Sequence, residues 1–160
     1  MPSPAKLTVT PSGGVLSSNP IGASGMLRFG EAALQVRARL AAEGVLSCAE
    51  ANAAPDGRKV TVAGIVLIRQ RPGKGNAIFI TLEDEGGIVN VLLWARQFER
   101  YRRAVMASRL MEVAGEVQRS KEGVVHLMAA RIVDRTVLLD RLTEKAHKPP
   151  LARGDEIHHP

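Results

Sequence analysis

The chain of 160 residues has little of several features that would assign it to a function class. Its one cysteine, Cys48, excludes an intrachain disulfide and a cysteine-based metal cluster, and the four histidines show no ligand spacing with it. No apolar run approaches the ~18 residues of a membrane span, and no charged stretch followed by a hydrophobic run marks a signal peptide. We therefore expect a soluble cytoplasmic protein with no metal, no other cofactor and no membrane partner.

The sequence patterns of common catalytic sites are also missing. There is no nucleophile elbow, P-loop, GxGxxG or HExxH pattern. The acidic triplet 83–85 suggests a metal site for phosphoryl transfer, but neighbours on a strand point to opposite faces. We expect these acids to be solvated residues of a turn, and we expect no catalytic residue.

Aromatic residues make up only 3% of the chain, so the core must be built from aliphatic side chains. The net charge is +6, and it is unevenly distributed. Residues 58–119 contain eleven basic and six acidic side chains, whereas residues 1–57 contain four of each. An excess of positive charge on one segment favours a polyanionic partner, and ordinary solubility is the alternative.

Composition and period divide the chain into four parts. Residues 1–29, rich in Ser, Gly and Pro, are expected to be a disordered tail. Residues 30–57 predict a helical linker, with one helix over 30–43 and a short second helix that Ser47 and Glu50 would cap. Residues 58–134 carry the strand pattern. A short amphipathic helix is predicted over about 133–142, so residues 135–160 are interpreted as helix and disordered tail.

Alternating apolar and polar residues predict five short strands, at 59–70, 77–84, 88–95, 109–119 and 124–132. Gly64 breaks the alternation of the first strand, so we expect a bend there, with Ile65 and Leu67 facing the core beyond it. An amphipathic helix is predicted over 96–107, with Met106 on its apolar stripe. The fold class is therefore all-β with helical additions: a five-stranded OB-fold barrel with a helix between strands three and four and an N-terminal helical linker.

The candidate binding residues lie on strands two and three. Ile78, Ile80 and Leu82 face the core, which turns Phe79 outward, where it can stack on a base or pack under the N-terminal helix. Asn90 has the same outward direction on strand three and can read a base edge, although a solvated polar residue is an equally simple interpretation.

The remaining candidates border that face. Trp94 is either a stacking platform or a packing residue. Arg69, Arg71 and Lys74 follow the first strand and are expected to neutralise phosphates. His126, in the middle of strand five, is expected to be structural.

The segment VTVAGIVLIRQRPGKGNAIFITLEDEGGIVNVLLW resembles the C-terminal OB domain of bacterial error-prone DNA polymerases, and the likeness extends over roughly residues 34–157. The motif FITLEDEGGIVNV is also similar to the anticodon-binding barrel of class II aminoacyl-tRNA synthetases. There an aromatic residue at the position of Phe79 stacks on a base, a polar one at Asn90 reads an edge, and a basic one near Arg71 supports them.

The resemblance implies a role in DNA replication, DNA repair and the DNA damage response. It implies single-stranded DNA as a partner and leaves RNA open. It also implies association with the bacterial nucleoid when DNA is bound. The palm domain that holds the polymerase's catalytic acids has no counterpart in the chain, so we expect a detached module that does not polymerise alone. One alternative is a protein-interaction module that docks onto polymerase or mutasome subunits through the Phe79 face and the helix bearing Phe98 and Tyr101. Another is a fragment of a DNA-directed DNA polymerase whose activity appears only when a separate catalytic chain complements it.

Overall fold

The computed structural model describes residues 21–73 and 75–140, with side chains from Gly30 onward. Residues 36–139 form one compact unit, and residues 21–35 belong to another. The elements in chain order are α1 (Ile21–Ala42), α2 (Cys48–Ala53), β1 (Lys59–Gln70), β2 (Ala77–Asp84), β3 (Gly87–Trp94), α3 (Ala95–Ala107), β4 (Leu110–Arg119) and β5 (Val125–Asp134).

The five strands close into a barrel in the order β1-β2-β3-β5-β4. All pairings are antiparallel except that of β3 with β5, which is parallel and joins Val91 to Leu127 and Leu92 to Met128. This closed barrel, with α3 between β3 and β4, is an OB-fold and confirms the fold class expected from the strand pattern.

The barrel interior is aliphatic, as the scarcity of aromatic residues requires. Its fully buried side chains come from alternate positions of every strand, among them Val62, Ile80, Val91, Val113 and Leu127. Alternation of this kind gives one packed inner surface and one outer surface to each strand. The outer surface is therefore available for function.

The short helix α2 packs against the barrel beside the β2–β3 turn. Ser47 and Glu50 form the predicted capping box: Oγ of Ser47 accepts from the Glu50 N–H at 3.2 Å, and the Glu50 carboxylate accepts from the Ser47 N–H at 2.7 Å. Asp84 then ties helix to barrel by accepting from the backbone N–H of Cys48 at 2.8 Å. Cys48 itself is fully buried in the core.

The second half of β1 differs from the expected pattern. Alternation continues unbroken through Gly64, so Val66 faces inward, while Ile65 and Leu67 are exposed. The prediction that Ile65 and Leu67 face the core is therefore wrong. Gly64 does mark a close approach, because a Cβ there would lie 2.7 Å from the carbonyl oxygen of Glu83. The phase of the strand changes only at Leu67, where a bulge interrupts the register between Val66 and Ile68.

A second apolar cluster lies outside the barrel, where the last turns of α1 cover β1 and β4. It contains Leu40, Val45, Ala63, Leu110 and Leu138.

Beside this cluster the carboxylate of Glu112 is almost fully buried and accepts from Arg135 at 2.6 Å and from Arg131 at 3.3 Å. Arg135 also donates to Glu43 of the α1–α2 segment at 2.7 Å. Hydrogen-bonded charge pairs thus connect the linker to the barrel.

The element ends differ most from the predicted ones in two places, and elsewhere by one or two residues. α1 begins at Ile21, whereas the pattern placed its start at Gly30, and residues 1–20 of the expected tail lie outside the described residues. β5 continues to Asp134, and helical backbone is found only over 137–140, so the end helix predicted from 133 starts later. Its continuation and the expected tail from 141 also lie outside the described residues. No helix of the described ranges is long and apolar enough to cross a membrane.

Candidate nucleic-acid interface

The strand register places the outward side chains in rows that run around the barrel. One row passes from Gln70 through Phe79, Leu92 and Met128 to Glu116. The neighbouring row carries Ile68, Thr81 and Asn90, and it reaches His126 and Gln118 when the β3–β5 register is continued by one residue from Val91 and Leu127. Phe79 and Asn90 therefore share one outer face, as the alternation predicted. We call the outward residues Phe79, Asn90, Leu92, His126 and Met128 the outer band.

Phe79 is half-buried, and its ring meets the ring of His126 edge-on, with 6.2 Å between the centroids and 64° between the planes. An edge-to-face pair of this geometry orients both rings and leaves ring surface for a further contact. Phe79 does not belong to the core cluster, so its described neighbours favour an outward-facing aromatic group. Its role in stacking stays a prediction.

His126 enters the candidate site although its sequence position indicated only a structural residue. The parallel pairing of β3 with β5 brings it next to Asn90, since Val91 and Leu127 are partners. Its neighbour Leu127 is buried in the barrel, so His126 points outward. This pairing joins strands that are distant in sequence, and no local pattern indicates it.

Asn90 is exposed, and its side-chain amide is held in place by Thr81 across the β2–β3 pair. The Thr81 hydroxyl donates to Oδ1 of Asn90 at 3.2 Å. This hydrogen bond turns the NH2 group of Asn90 away from Thr81. The amide can therefore present donors at the surface, which suits contact with acceptors on a base edge.

Trp94 ends β3 opposite Ala77 and is 49% exposed. It precedes the first turn of α3 as the N-cap residue and makes no side-chain capping hydrogen bond. Its indole thus lies beyond the outer band, toward α3.

Arg69 is exposed, and its guanidinium is hydrogen-bonded to the end of α3. The bulge at Leu67 pairs Arg69 with the inward residue Ile80 and turns it toward the end of α3. There its guanidinium donates to the carbonyl oxygens of Val105, at 2.6 Å, and of Ser108. The phosphate contact of Arg69 stays a prediction; its hydrogen bonds favour instead a stabilising charge at the C-terminus of α3, where backbone carbonyls accumulate.

Arg71 remains at the surface. Its Nε donates to the carbonyl oxygen of Gly75 at 3.2 Å, which folds the β1–β2 loop back on itself. Because Arg71 is exposed, the remaining N–H groups of its guanidinium lie at the surface, next to Gln70. Lys74, the third predicted cation, lies outside the described residues.

The acidic triplet has structural partners. Asp84 accepts from the N–H of Cys48 and from that of Gly86, at 2.8 and 2.7 Å, and Glu85 pairs with Arg37 at 3.0 Å. Only Glu83 fits the expected solvated turn acid. Within residues 21–73 and 75–140, no group of three or more His, Cys, Asp or Glu side chains could hold a metal ion.

The architecture is that of an OB-fold, and the outer band lies on the outside of its barrel. Residues 60–135 match a family model described as an OB-fold nucleic acid binding domain of the tRNA anticodon type.

The resemblance to error-prone DNA polymerases is confirmed by sequence comparison. The chain is 46% identical over 127 residues to the error-prone DNA polymerase of Rhodopseudomonas palustris (strain HaA2), which covers 78% of this chain and 11% of the polymerase. It is 43% identical over 126 residues to that of Brucella abortus (strain 9-941), covering 78% of this chain and 12% of the polymerase. The chain thus spans about a tenth of the length of these relatives.

Among solved structures, the asparaginyl-tRNA synthetase of Pyrococcus horikoshii matches 56% of this chain and 22% of its own. The TM-score is 0.48, and the sequences are 25% identical.

Proposed function

We propose that the outer band binds single-stranded DNA. The observation that carries the proposal is the arrangement of Phe79, His126, Asn90 and Leu92 at adjacent outward positions of β2, β3 and β5. The two aromatic rings and the apolar side chain of Leu92 can contact the flat faces of unpaired bases, and the oriented amide of Asn90 can hydrogen-bond to their polar edges. The family match supports a nucleic acid as the ligand, and the names of the relatives favour DNA.

The energetics of such a surface need no reactive group. Stacking of a base on an aromatic side chain is worth ~1–3 kcal/mol, and it tolerates any sequence because every base has a flat face. Arg71, and Lys74 in the same loop, would neutralise phosphates and release counterions, so affinity would fall as salt rises. DNA is the favoured ligand, and RNA competes because stacking does not depend on the sugar.

The barrel would hold a DNA strand, and the catalytic steps would be carried out by another polypeptide segment. In a longer polymerase it would retain the single-stranded template ahead of the active site during replication or damage-tolerant synthesis. Such a protein works in the bacterial cytoplasm, at the nucleoid when DNA is bound.

A second candidate function is docking to other polymerase or mutasome subunits. It is favoured by exposed apolar side chains on the outside of the barrel: Ile65, Leu67 and Ile68 on β1, and Ile88 on β3, which lies across β2 from Ile65 with Glu83 between them. The helix that this alternative also invoked contributes less than expected, because Phe98 and Tyr101 of α3 pack against the barrel core. Met106, placed on the same apolar stripe by sequence, is exposed.

The decisive experiment is a fluorescence-anisotropy titration of labelled single-stranded DNA at several salt concentrations. Phe79→Ala should weaken binding by about 1–3 kcal/mol, or roughly 5–150-fold, because it removes a stacking surface. Met106→Ala is the matched control, since it truncates an exposed apolar side chain on α3, away from the outer band.

Circular dichroism must show that both variants stay folded, because Phe79 is half-buried. Arg71→Ala should reduce the slope of log affinity against log salt by about 0.7 for each phosphate that the side chain no longer neutralises. If the folded protein binds no DNA at low salt, the DNA-binding proposal is wrong, and docking to other subunits becomes the favoured function.

A further inference from the structure

A cleft of about 680 Å³ lies on the barrel surface next to the outer band. β1, β4 and β5 line it, and Trp94 and Gln97 close it at the start of α3. Its volume is in the range of sites that hold small ligands. Aromatic and thioether surface from Trp94 and Met128 shares the cleft with the charged residues Arg58, Lys59 and Glu116.

Gln97 gives this cleft a chemical preference. Its side-chain oxygen Oε1 is buried, and no group in the described part of the chain donates a hydrogen bond to it. Buried carbonyl oxygens nearly always have a donor, because an unpaired one loses its hydration without compensation. Oε1 has no surface open to water, so a ligand N–H or NH2 group would supply that donor once the Gln97 side chain turns toward the cleft.

The cleft continues the row that contains Phe79. The register runs from Phe79 to Leu92 and Met128, and then on to Glu116 and Lys59. With neighbouring strands ~4.8 Å apart, these four steps follow about 19 Å of barrel surface. A strand bound at Phe79 can therefore reach the cleft within the ~4–16 nucleotides that OB-folds cover.

We propose that the cleft holds one nucleotide of the same DNA strand that stacks on Phe79, an inference that rests on the proposed function. The base lies against Trp94 and Met128, and the Gln97 side chain turns toward the cleft so that Oε1 accepts an N–H of the base. The phosphate lies at Arg58 and Lys59. Donors of this kind occur on every base, so the cleft lengthens the binding track without selecting a sequence.

Glu116 lies next to the proposed phosphate position, because it is the register partner of Lys59 and is exposed. Its charge would repel a phosphate bound at Lys59. Glu116→Gln should therefore tighten binding of a long strand at low salt by roughly 2–4-fold, as expected for one exposed charge a few ångströms from a phosphate.

The test compares oligonucleotides of four and twelve nucleotides with the full chain. Gln97→Met removes the acceptor while keeping the length of the side chain. It should weaken binding of the 12-mer by roughly 3–10-fold, the effect of one hydrogen bond, and leave the 4-mer within about twofold. Phe79→Ala should weaken both. Trp94 is the only tryptophan, so its emission should change when the 12-mer saturates the protein.

Two results would overturn the inference, and they separate its failure from that of the proposed function. If Gln97→Met binds the 12-mer like the wild type and Trp94 emission does not respond, the cleft is not part of the track. The outer band survives that result if Phe79→Ala still weakens binding. If the folded wild type binds neither oligonucleotide, the proposed function and the cleft fail together.

Discussion

Removing Arg69 should destabilise the barrel without changing how DNA binding responds to salt. α3 has no basic residue in its last turn, so Arg69 of β1 supplies the positive charge at its C-terminus. A hydrogen bond to a charged group is worth about 1.5–3 kcal/mol, and a cation at a helix C-terminus adds about 0.3–1 kcal/mol. Two such hydrogen bonds and the helix-end charge would together be worth about 3–7 kcal/mol, and because Arg69 is exposed we expect Arg69→Ala to cost about half of that, about 2–4 kcal/mol.

Urea unfolding measures this loss. With a slope of about 2 kcal/mol per molar urea, the midpoint should fall by roughly 1–2 M. Arg69→Lys should recover part of the stability, because it keeps the charge but not the forked donors that reach both Val105 and Ser108. Arg71→Ala is the matched control, because it truncates an exposed arginine two residues away and should cost less than about 0.5 kcal/mol.

The salt dependence of DNA binding gives the complementary readout. Arg71→Ala should lower the salt slope, and Arg69→Ala should leave it at the wild-type value after correction for unfolded protein. The reasoning is refuted if Arg69→Ala unfolds like the wild type and its DNA binding no longer depends on salt, since Arg69 would then face the ligand and not α3.

Two further predictions concern the contacts that hold the linker to the barrel. Burial, and then the negative charge of Asp84, raise the pKa of the Cys48 thiol from 9.0 to about 12. Iodoacetamide should therefore leave Cys48 unmodified at pH 8 until urea unfolds the chain, and rapid labelling of the native protein would contradict this. The free energy of unfolding should also decline from about pH 9 toward pH 12, because the thiol ionises at lower pH in the unfolded chain than in the folded one. Glu112→Ala leaves Arg135 without its closest carboxylate and should cost about 2–4 kcal/mol in urea unfolding. Arg131→Ala breaks a longer and more exposed ion pair and should cost under about 1 kcal/mol. Equal losses would show that the network is not centred on Arg135.

Local alternation was sufficient to predict most of the barrel. β1 and β2 have the predicted bounds, and the helix predicted over 96–107 begins one residue earlier, at Ala95. These elements each bury one face, so their period is visible in the sequence itself. The shared outward direction of Phe79 and Asn90 follows from the same alternation and is confirmed by the β2–β3 register.

The errors arise where geometry depends on a partner strand. A bulge is defined by a missing cross-strand partner, so the sequence of β1 alone did not indicate that the change of phase falls at Leu67 and not at Gly64. That three-residue difference reversed the faces of Ile65 and Leu67. His126 was missed for a related reason, because its proximity to Phe79 requires the parallel closure of β3 on β5.

The same closure links the candidate site to the stability of the barrel. The parallel seam between β3 and β5 is short, with two residue pairs in register, yet the outer band crosses it between Leu92 and Met128. Phe79 and His126 approach one another only when that seam is formed, so an opened barrel would separate the two rings. A ligand that needs both sides of the seam binds the closed state alone and stabilises it in proportion to the logarithm of its concentration. Nucleic-acid binding and barrel closure should therefore be thermodynamically coupled, and the shortest pairing in the fold is the place where that coupling acts.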